Sequence, residues 1–300
     1  MLLSNAISEF VLSCKLRMLS EHTLKAYQSD LGLFKSWSRQ TDVKAALTAL
    51  EITAWRIYLD KRSFAATTIK RRLASLQSLT KWLEREALLD SDPFREIDVA
   101  IKLPRRLPRN LQRSDLSLLL EKLKRISEFN SFSNLLIWLT VELILTTGIR
   151  IAEACSITLN DIDLEGRVIR VDGKGSRERQ VFLIDDELIN LLEKYLTARA
   201  RRTVVTDHLL ITAKSSAASP DYIRRKLHRI VESTNITGKI TPHMLRHTAA
   251  TQLLECGVDI RFVQRLLGHS SIATTEIYTH VSNVALRNAI LSSDLRRQWR

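Results

Sequence analysis

Thr241-Pro242-His243-Met244-Leu245-Arg246-His247, continued by Leu266-Leu267-Gly268-His269 and closed by Tyr278-Thr279-His280, is the stretch on which the fold turns. A helix begun after Pro242 brings His243, Arg246 and His247 onto one face, because they stand three and four residues apart. Leu245, Ala249, Leu253 and Leu254 form its apolar stripe, which makes it amphipathic, and Gly257 stops it after Cys256. A second helix over 259–267 buries Ile260, Val263, Leu266 and Leu267. It meets Gly268, whose tolerance of positive φ lets the chain turn and present His269. A third begins near Thr274 or Thr275 and carries Tyr278 one turn in. Polar reactive groups thus gather at helix ends.

Working outward, Thr147-Gly148-Ile149-Arg150-Ile151-Ala152-Glu153 predicts a tight turn at Gly148 and a helix over 151–156 opened by Arg150. The Arg150 fork there either meets an anion or pairs with Glu153. Residues 162–171 alternate like strands around a turn, and 180–184 form another, giving a small antiparallel sheet. Between them Gly173-Lys174-Gly175 puts an ammonium on a hairpin tip. The spaced glycines of a P-loop and its Ser or Thr are absent, which argues against nucleotide hydrolysis. Ser114 is a candidate cap for a helix burying Leu116, Leu119, Leu120 and Leu123. Long helices are expected over 134–146 and 186–197. From Pro220, Ile223, Leu227, Ile230 and Val231 face inward, while Arg224, Arg225, Lys226 and Arg229 load the opposite face. That face either enters a DNA major groove or is simply solvated.

The first 89 residues read as four helices. Their apolar positions are Ile7, Phe10, Val11 and Leu12; then Leu24, Tyr27, Leu31, Phe34 and Trp37 behind a Ser20 cap; then Trp55, Ile57, Tyr58 and Leu59 over 53–61; and finally Ile69, Leu73, Leu76 and Leu83 over 66–86. Lys70, Arg71, Arg72 and Lys81 lie elsewhere on the last helix, where they meet phosphates or stay in water. Asp92-Pro93 reads as the end of this lobe. The basic, proline-punctuated run over 101–110, with Arg105 and Arg106, reads as a linker able to follow a DNA backbone.

A chain of 300 residues with 45% hydrophobic content can build two cores. Its longest apolar run, broken by Glu142, falls short of the roughly 20 residues of a bilayer span. Its start carries no basic flank or cleavage site of a secretory leader. Cys14, Cys155 and Cys256 form no Cys-x-x-Cys pair, so buried thiols in a reducing compartment are expected. Net charge is +13, with 46 Lys and Arg against 33 Asp and Glu, and the excess appears in both halves. Two basic lobes suit a clamp on a polyanion, and an aromatic content of 6% favours duplex over stacked single strands.

A metal site at His243 and His247 lacks the Glu of His-Glu-x-x-His and has Arg246 beside it to repel a cation. No nucleophile elbow supports a serine or cysteine triad. Two arginines, a lysine and histidines around one tyrosine instead suit phosphoryl transfer to a protein side chain. Tyr278 is then the nucleophile. Arg150 and Arg246 clamp the phosphate, His269 donates to the same oxygens, His243 takes or returns the phenol proton, and Lys174 protonates the leaving 5′ oxygen. No metal or other cofactor is required.

The set resembles the tyrosine recombinases of the phage-integrase family over nearly the whole chain. Thr146-Thr147-Gly148-Ile149-Arg150-Ile151-Ala152-Glu153 looks like the first box, and Gly173 to Arg179 like the lysine hairpin. His243-Met244-Leu245-Arg246-His247, Leu266-Leu267-Gly268-His269 and Tyr278-Thr279-His280 look like the second box. Leu19-Ser20-Glu21-His22-Thr23-Leu24-Lys25-Ala26-Tyr27 and the Leu-Pro-Arg linker are most similar to the Xer branch. Phe182 departs from the proline that many relatives carry after the hairpin, and the ending Leu295-Arg296-Arg297-Gln298-Trp299-Arg300 departs from the usual Xer terminus.

The resemblance implies a mainly α fold with a small antiparallel β-sheet, arranged as a two-domain C-shaped clamp. A helical core-binding domain over 1–100 would be followed by a linker over 101–110, a catalytic domain over 111–283 and a tail helix over 284–300 that docks on a neighbouring subunit. It implies a cytoplasmic, nucleoid-associated bacterial or archaeal recombinase that uses duplex DNA with paired inverted half-sites, 3′-phosphotyrosyl intermediates and a Holliday junction. Its assembly would be a homotetramer on two sites or a heterotetramer with a second recombinase, with or without an accessory DNA-bending or regulatory protein. The task would be Xer-like resolution or mobile-element integration. A non-catalytic DNA-binding regulator of the same fold and a monomeric type IB topoisomerase are the alternatives.

Overall fold

The computed structural model describes residues 1–99, 101, 111–128, 131–173 and 178–268. The expectations for Arg105, Arg106, Lys174, His269, Tyr278 and the 284–300 tail lie outside the described residues. The chain divides into two compact units, Met1–Arg105 and Arg106–Arg300, each with its own core. Both are helical, and the second adds a three-stranded sheet.

The first unit contains α1 (Leu3–Leu16), α2 (Glu21–Trp37), the single turn α3 (Val43–Ala46), α4 (Ala49–Lys61) and α5 (Ala66–Arg85). Ser20 caps α2, accepting from the Thr23 amide at 3.3 Å. Phe34, Trp37, Trp55 and Tyr58 pack with ring centroids 5.0 to 5.8 Å apart and staple α2 to α4. Three expectations need correcting. The third long helix starts at Ala49 instead of Thr53, because the Thr48 hydroxyl accepts from the Glu51 amide and opens it a turn earlier. Leu12 and Ile57 are exposed, since helical spacing turns them away from the buried Phe10 and Cys14 and from the buried Trp55 and Leu59. Asp92-Pro93 does not end the lobe. Asp92 is buried, accepts from Thr80 and Phe94, and caps a short 3-10 turn, after which Ile97, Val99 and Ile101 still pack on this core.

The second unit runs α6 (Arg113–Glu128), α7 (Phe132–Thr147), α8 (Ile151–Ser156), β1 (Ile162–Asp163), β2 (Val168–Asp172), β3 (Glu178–Phe182), α9 (Asp186–Ala200), α10 (Pro220–Glu232), α11 (Pro242–Glu255) and α12 (Ile260–Leu267). Ser114 lies inside α6 instead of capping it. The strands form an antiparallel sheet in the order β1-β2-β3, with Val168 opposite Phe182 and Val171 opposite Arg179. Apolar α7 is the central rod, packed by α6, α9 and α11.

Helix α11 is not amphipathic. Leu245, Arg246, His247, Thr248, Ala249, Ala250, Thr251 and Leu254 are all buried, because α7 and α12 both pack on it. Threonine tolerates this burial by donating back to its own helix, as Thr248 does to the Met244 carbonyl at 2.9 Å. His243, in the first turn, is exposed, so it does not share a solvent face with Arg246 and His247. Cys14 and Cys155 are buried as expected, but Cys256 is exposed in the turn that follows α11. No helix among the described residues is long and apolar enough to cross a membrane.

Candidate active site

The site is built around a buried carboxylate. Glu153 sits in the first turn of α8, where its side chain accepts from the Arg150 amide at 2.7 Å and so closes the helix start. The same carboxylate accepts from the Arg150 guanidinium at 2.6 Å and from both terminal nitrogens of Arg179 at 3.1 and 2.7 Å. Arg246 approaches it to 3.9 Å. Burial alone would raise the Glu153 carboxyl, but hydrogen bonds from Arg179 and Arg150 outweigh that and hold it below the usual glutamate range. It therefore remains an anion at neutral pH. Three guanidiniums share it, so the cluster keeps an excess of positive charge.

Those arginines also cap a helix end. The last carbonyls of a helix lack partners within it and carry the negative end of its dipole. At α12 the Leu266 carbonyl accepts from Arg179 at 3.0 Å, Leu267 from Arg246 at 2.6 Å, and Gly268 from Arg150 at 3.3 Å. Arg246 also donates to the Gly148 carbonyl at the end of α7, at 2.5 Å. Two glycines make this convergence possible. Gly148 has φ 65° and lies so close to α12 that a Cβ would stand 2.8 Å from a Leu267 methyl; Gly268 has φ 61° and ends α12 in the left-handed region. Among the described residues, α12 buries Val263 and Leu267, and these polar ties add to that packing in holding its end.

The structure thus brings together Arg150 and Arg246, the two proposed phosphate ligands, on one carboxylate and one helix end. Arg246 is buried and the Arg150 side chain is 39% exposed. Lys174, His269 and Tyr278 lie outside the described residues. The sequence reading passed over Arg179 as a member of this cluster, although a signal existed: alternation along β3 puts it on the same face as core residue Val181. Thr248 was also missed; it accepts from the Leu111 amide at 3.2 Å and ties the start of the unit to α11.

Burial disfavours two other nucleophile types among the described residues of this unit. Burial pushes the Cys155 thiol up to about 11 and the Tyr195 phenol up to about 12. Tyr27 and Tyr58 pack in the first unit, and Tyr222 rests between Ser133 and Lys226.

Among the candidate DNA contacts, Arg225 and Arg229 are exposed on α10, while Arg224 pairs with Asp221 at 2.5 Å and Lys226 lies over the Tyr222 ring at 5.9 Å. On α5, Lys70 is exposed. Arg71 pairs with buried Asp30, and Arg72 stacks on Phe64 at 3.9 Å.

The chain resembles known proteins in both of its units. Residues 109–284 match the Phage integrase family and residues 12–87 match Phage integrase, N-terminal SAM-like domain. Tyrosine recombinase XerC of Listeria innocua is 33% identical over 280 residues, covering 92% of each chain. A tyrosine recombinase of Agathobacter rectalis is 30% identical over 289 residues, covering 94% of each. Among solved structures, XerH site-specific recombinase bound to palindromic difH substrate, in a post-cleavage complex, is 25% identical with a TM-score of 0.75, covering 95% of this chain and 84% of that one. Matched in both of its units and along nearly its whole length, the chain belongs to the phage integrase family and is a tyrosine recombinase close to the Xer branch, an enzyme of site-specific DNA recombination.

Proposed function

We propose that the chain cuts and rejoins duplex DNA through Tyr278, with the phosphate held by Arg150 and Arg246. The convergence of those two arginines on Glu153 and on the end of α12 carries this reading. Charge growing on the non-bridging oxygens is met by guanidiniums that are fixed before the reaction begins. The Tyr278 oxygen attacks phosphorus, its proton passing to His243, which stands exposed in the first turn of α11. The bond to the 5′ oxygen breaks, and Lys174 protonates the leaving group while His269 donates to the phosphoryl oxygens. A 3′-phosphotyrosyl bond results. Attack by a 5′ hydroxyl from another strand reverses the step and conserves its energy, so the chemistry needs no cofactor.

In this reading the substrate is duplex DNA with paired inverted half-sites, as the palindromic substrate of XerH supports. Two rounds of exchange pass through a Holliday junction in a homotetramer, or in a heterotetramer with a second recombinase, with an accessory DNA-bending or regulatory protein where control demands one. The 284–300 tail docks the subunits. Lys70, Arg71, Arg105, Arg106, Arg225 and Arg229 contact the backbone, and α10 reads the major groove. The protein works in the cytoplasm on the nucleoid, in Xer-like resolution or in integration of a mobile element.

Incubation in EDTA with nicked duplexes built on inverted repeats tests the chemistry. The parent chain forms a covalent adduct whose labelled peptide contains Tyr278. Tyr278→Phe binds the duplex and forms none. An adduct that survives in Tyr278→Phe places the nucleophile elsewhere.

A further inference from the structure

We propose that Arg179 is a positioning residue for DNA cleavage, tying strand β3 to both Glu153 and the end of α12. The inference rests on the active site proposed above. Arg179 lies on β3, five residues after Lys174, with its side chain 13% exposed. It spends its whole fork on protein. Its Nε donates to the Leu266 carbonyl at 3.0 Å, and its two terminal nitrogens donate to the two Glu153 oxygens at 3.1 and 2.7 Å.

This arrangement fixes what surrounds it. A carboxylate has about four lone-pair sites. At Glu153 two are taken by Arg150, through its amide and its guanidinium, and two by Arg179. Arg179 thus restrains the carboxylate and, through it, the direction of the Arg150 guanidinium. Arg179 also holds the Leu266 peptide, two residues before Gly268, whose carbonyl is the other partner of Arg150. One side chain therefore acts on both ends of the Arg150 fork. Gly268 leaves the room for it: a Cβ there would lie 3.1 Å from an Arg179 terminal nitrogen. Lysine could restore the charge but cannot span two carboxylate oxygens and a carbonyl at once.

The test uses full-length Arg179→Ala and Arg179→Lys beside the parent. Single-turnover adduct formation on a nicked duplex is measured at saturating DNA, together with half-site binding and thermal unfolding. Arg179→Ala is expected to cleave about 100-fold more slowly, with binding within about threefold of the parent. Arg179→Lys is expected to fold and bind like the parent yet recover less than about a tenth of its rate. If Arg179→Ala fails to fold, the lysine variant decides alone. Parental cleavage by Arg179→Lys overturns the positioning role, as does a matching loss of rate and binding in both variants. Absence of an adduct from the parent itself overturns the active-site reading, and the Arg179 role falls with it.

Discussion

Each unit buries one carboxylate among arginines, and the two clusters differ in where the arginines come from. In the first unit, Asp30 of α2 meets Arg71, accepts from Ser75 at 2.8 Å and lies 3.8 Å from Arg72. All three partners stand within about a turn of one another on α5. Arg72 is further occupied by the Phe64 ring. In the second unit, Glu153 collects Arg150 from the start of α8, Arg179 from β3 and Arg246 from α11, and those arginines also grip the ends of α7 and α12. The first cluster joins two helices. The second brings distant elements to one point and leaves Arg150 part-exposed there. Arginines around a buried acid thus tie two helices together in one unit and gather several elements in the other, and the proposed phosphate site is of the second kind.

The largest effect that would break the comparison is expected at Arg150. Arg150→Ala should slow covalent adduct formation by about 100- to 1,000-fold, while half-site binding changes little, because in the proposed mechanism the side chain acts on charge that develops during reaction. Quenched-flow cleavage of a nicked duplex checks this, and an equal loss of affinity would make Arg150 a binding residue.

Asp30→Ala should act on stability. Removing one partner of a fully buried pair costs about 3–5 kcal/mol; with Arg71 half exposed and able to rehydrate, about 2 kcal/mol is expected, read as a lower urea midpoint. An unchanged midpoint would show that the Asp30 cluster is not a lock.

The smallest effect belongs to the open face of α10. Arg229→Ala should reduce the slope of log affinity against log salt by about one and weaken binding a few-fold at all sequences. A loss confined to certain base pairs would instead make Arg229 a base reader.

Much of this was legible in the sequence because local chemistry decides it. Ser20 caps, Gly148 and Gly268 turn, Arg150 opens α8 beside Glu153, and the inward residues of α10 follow helical spacing. The alternation of β2 and β3 and the two-unit organisation could also be read. What escaped depends on packing from several sides. The enclosure of α11 was invisible because threonines that return hydrogen bonds to their own helix look like a polar face. The tie from Arg71 and Arg72 to Asp30 was also hidden, since nothing near that pair in sequence announces Asp30. Arg179 belongs to Glu153 only after the sheet has formed. Cys256 looked buried because it follows an apolar run, yet the chain has already turned outward there.

The most direct test sets the two clusters side by side: single-turnover cleavage at saturating DNA by Asp30→Ala and Arg150→Ala, compared with the parent. Asp30→Ala should form the adduct within about twofold of the parental rate once bound and folded, and Arg150→Ala at least about 100-fold more slowly. Equal slowing in both, or a parental rate in Arg150→Ala, would contradict the division between a lock around Asp30 and a phosphate site around Glu153.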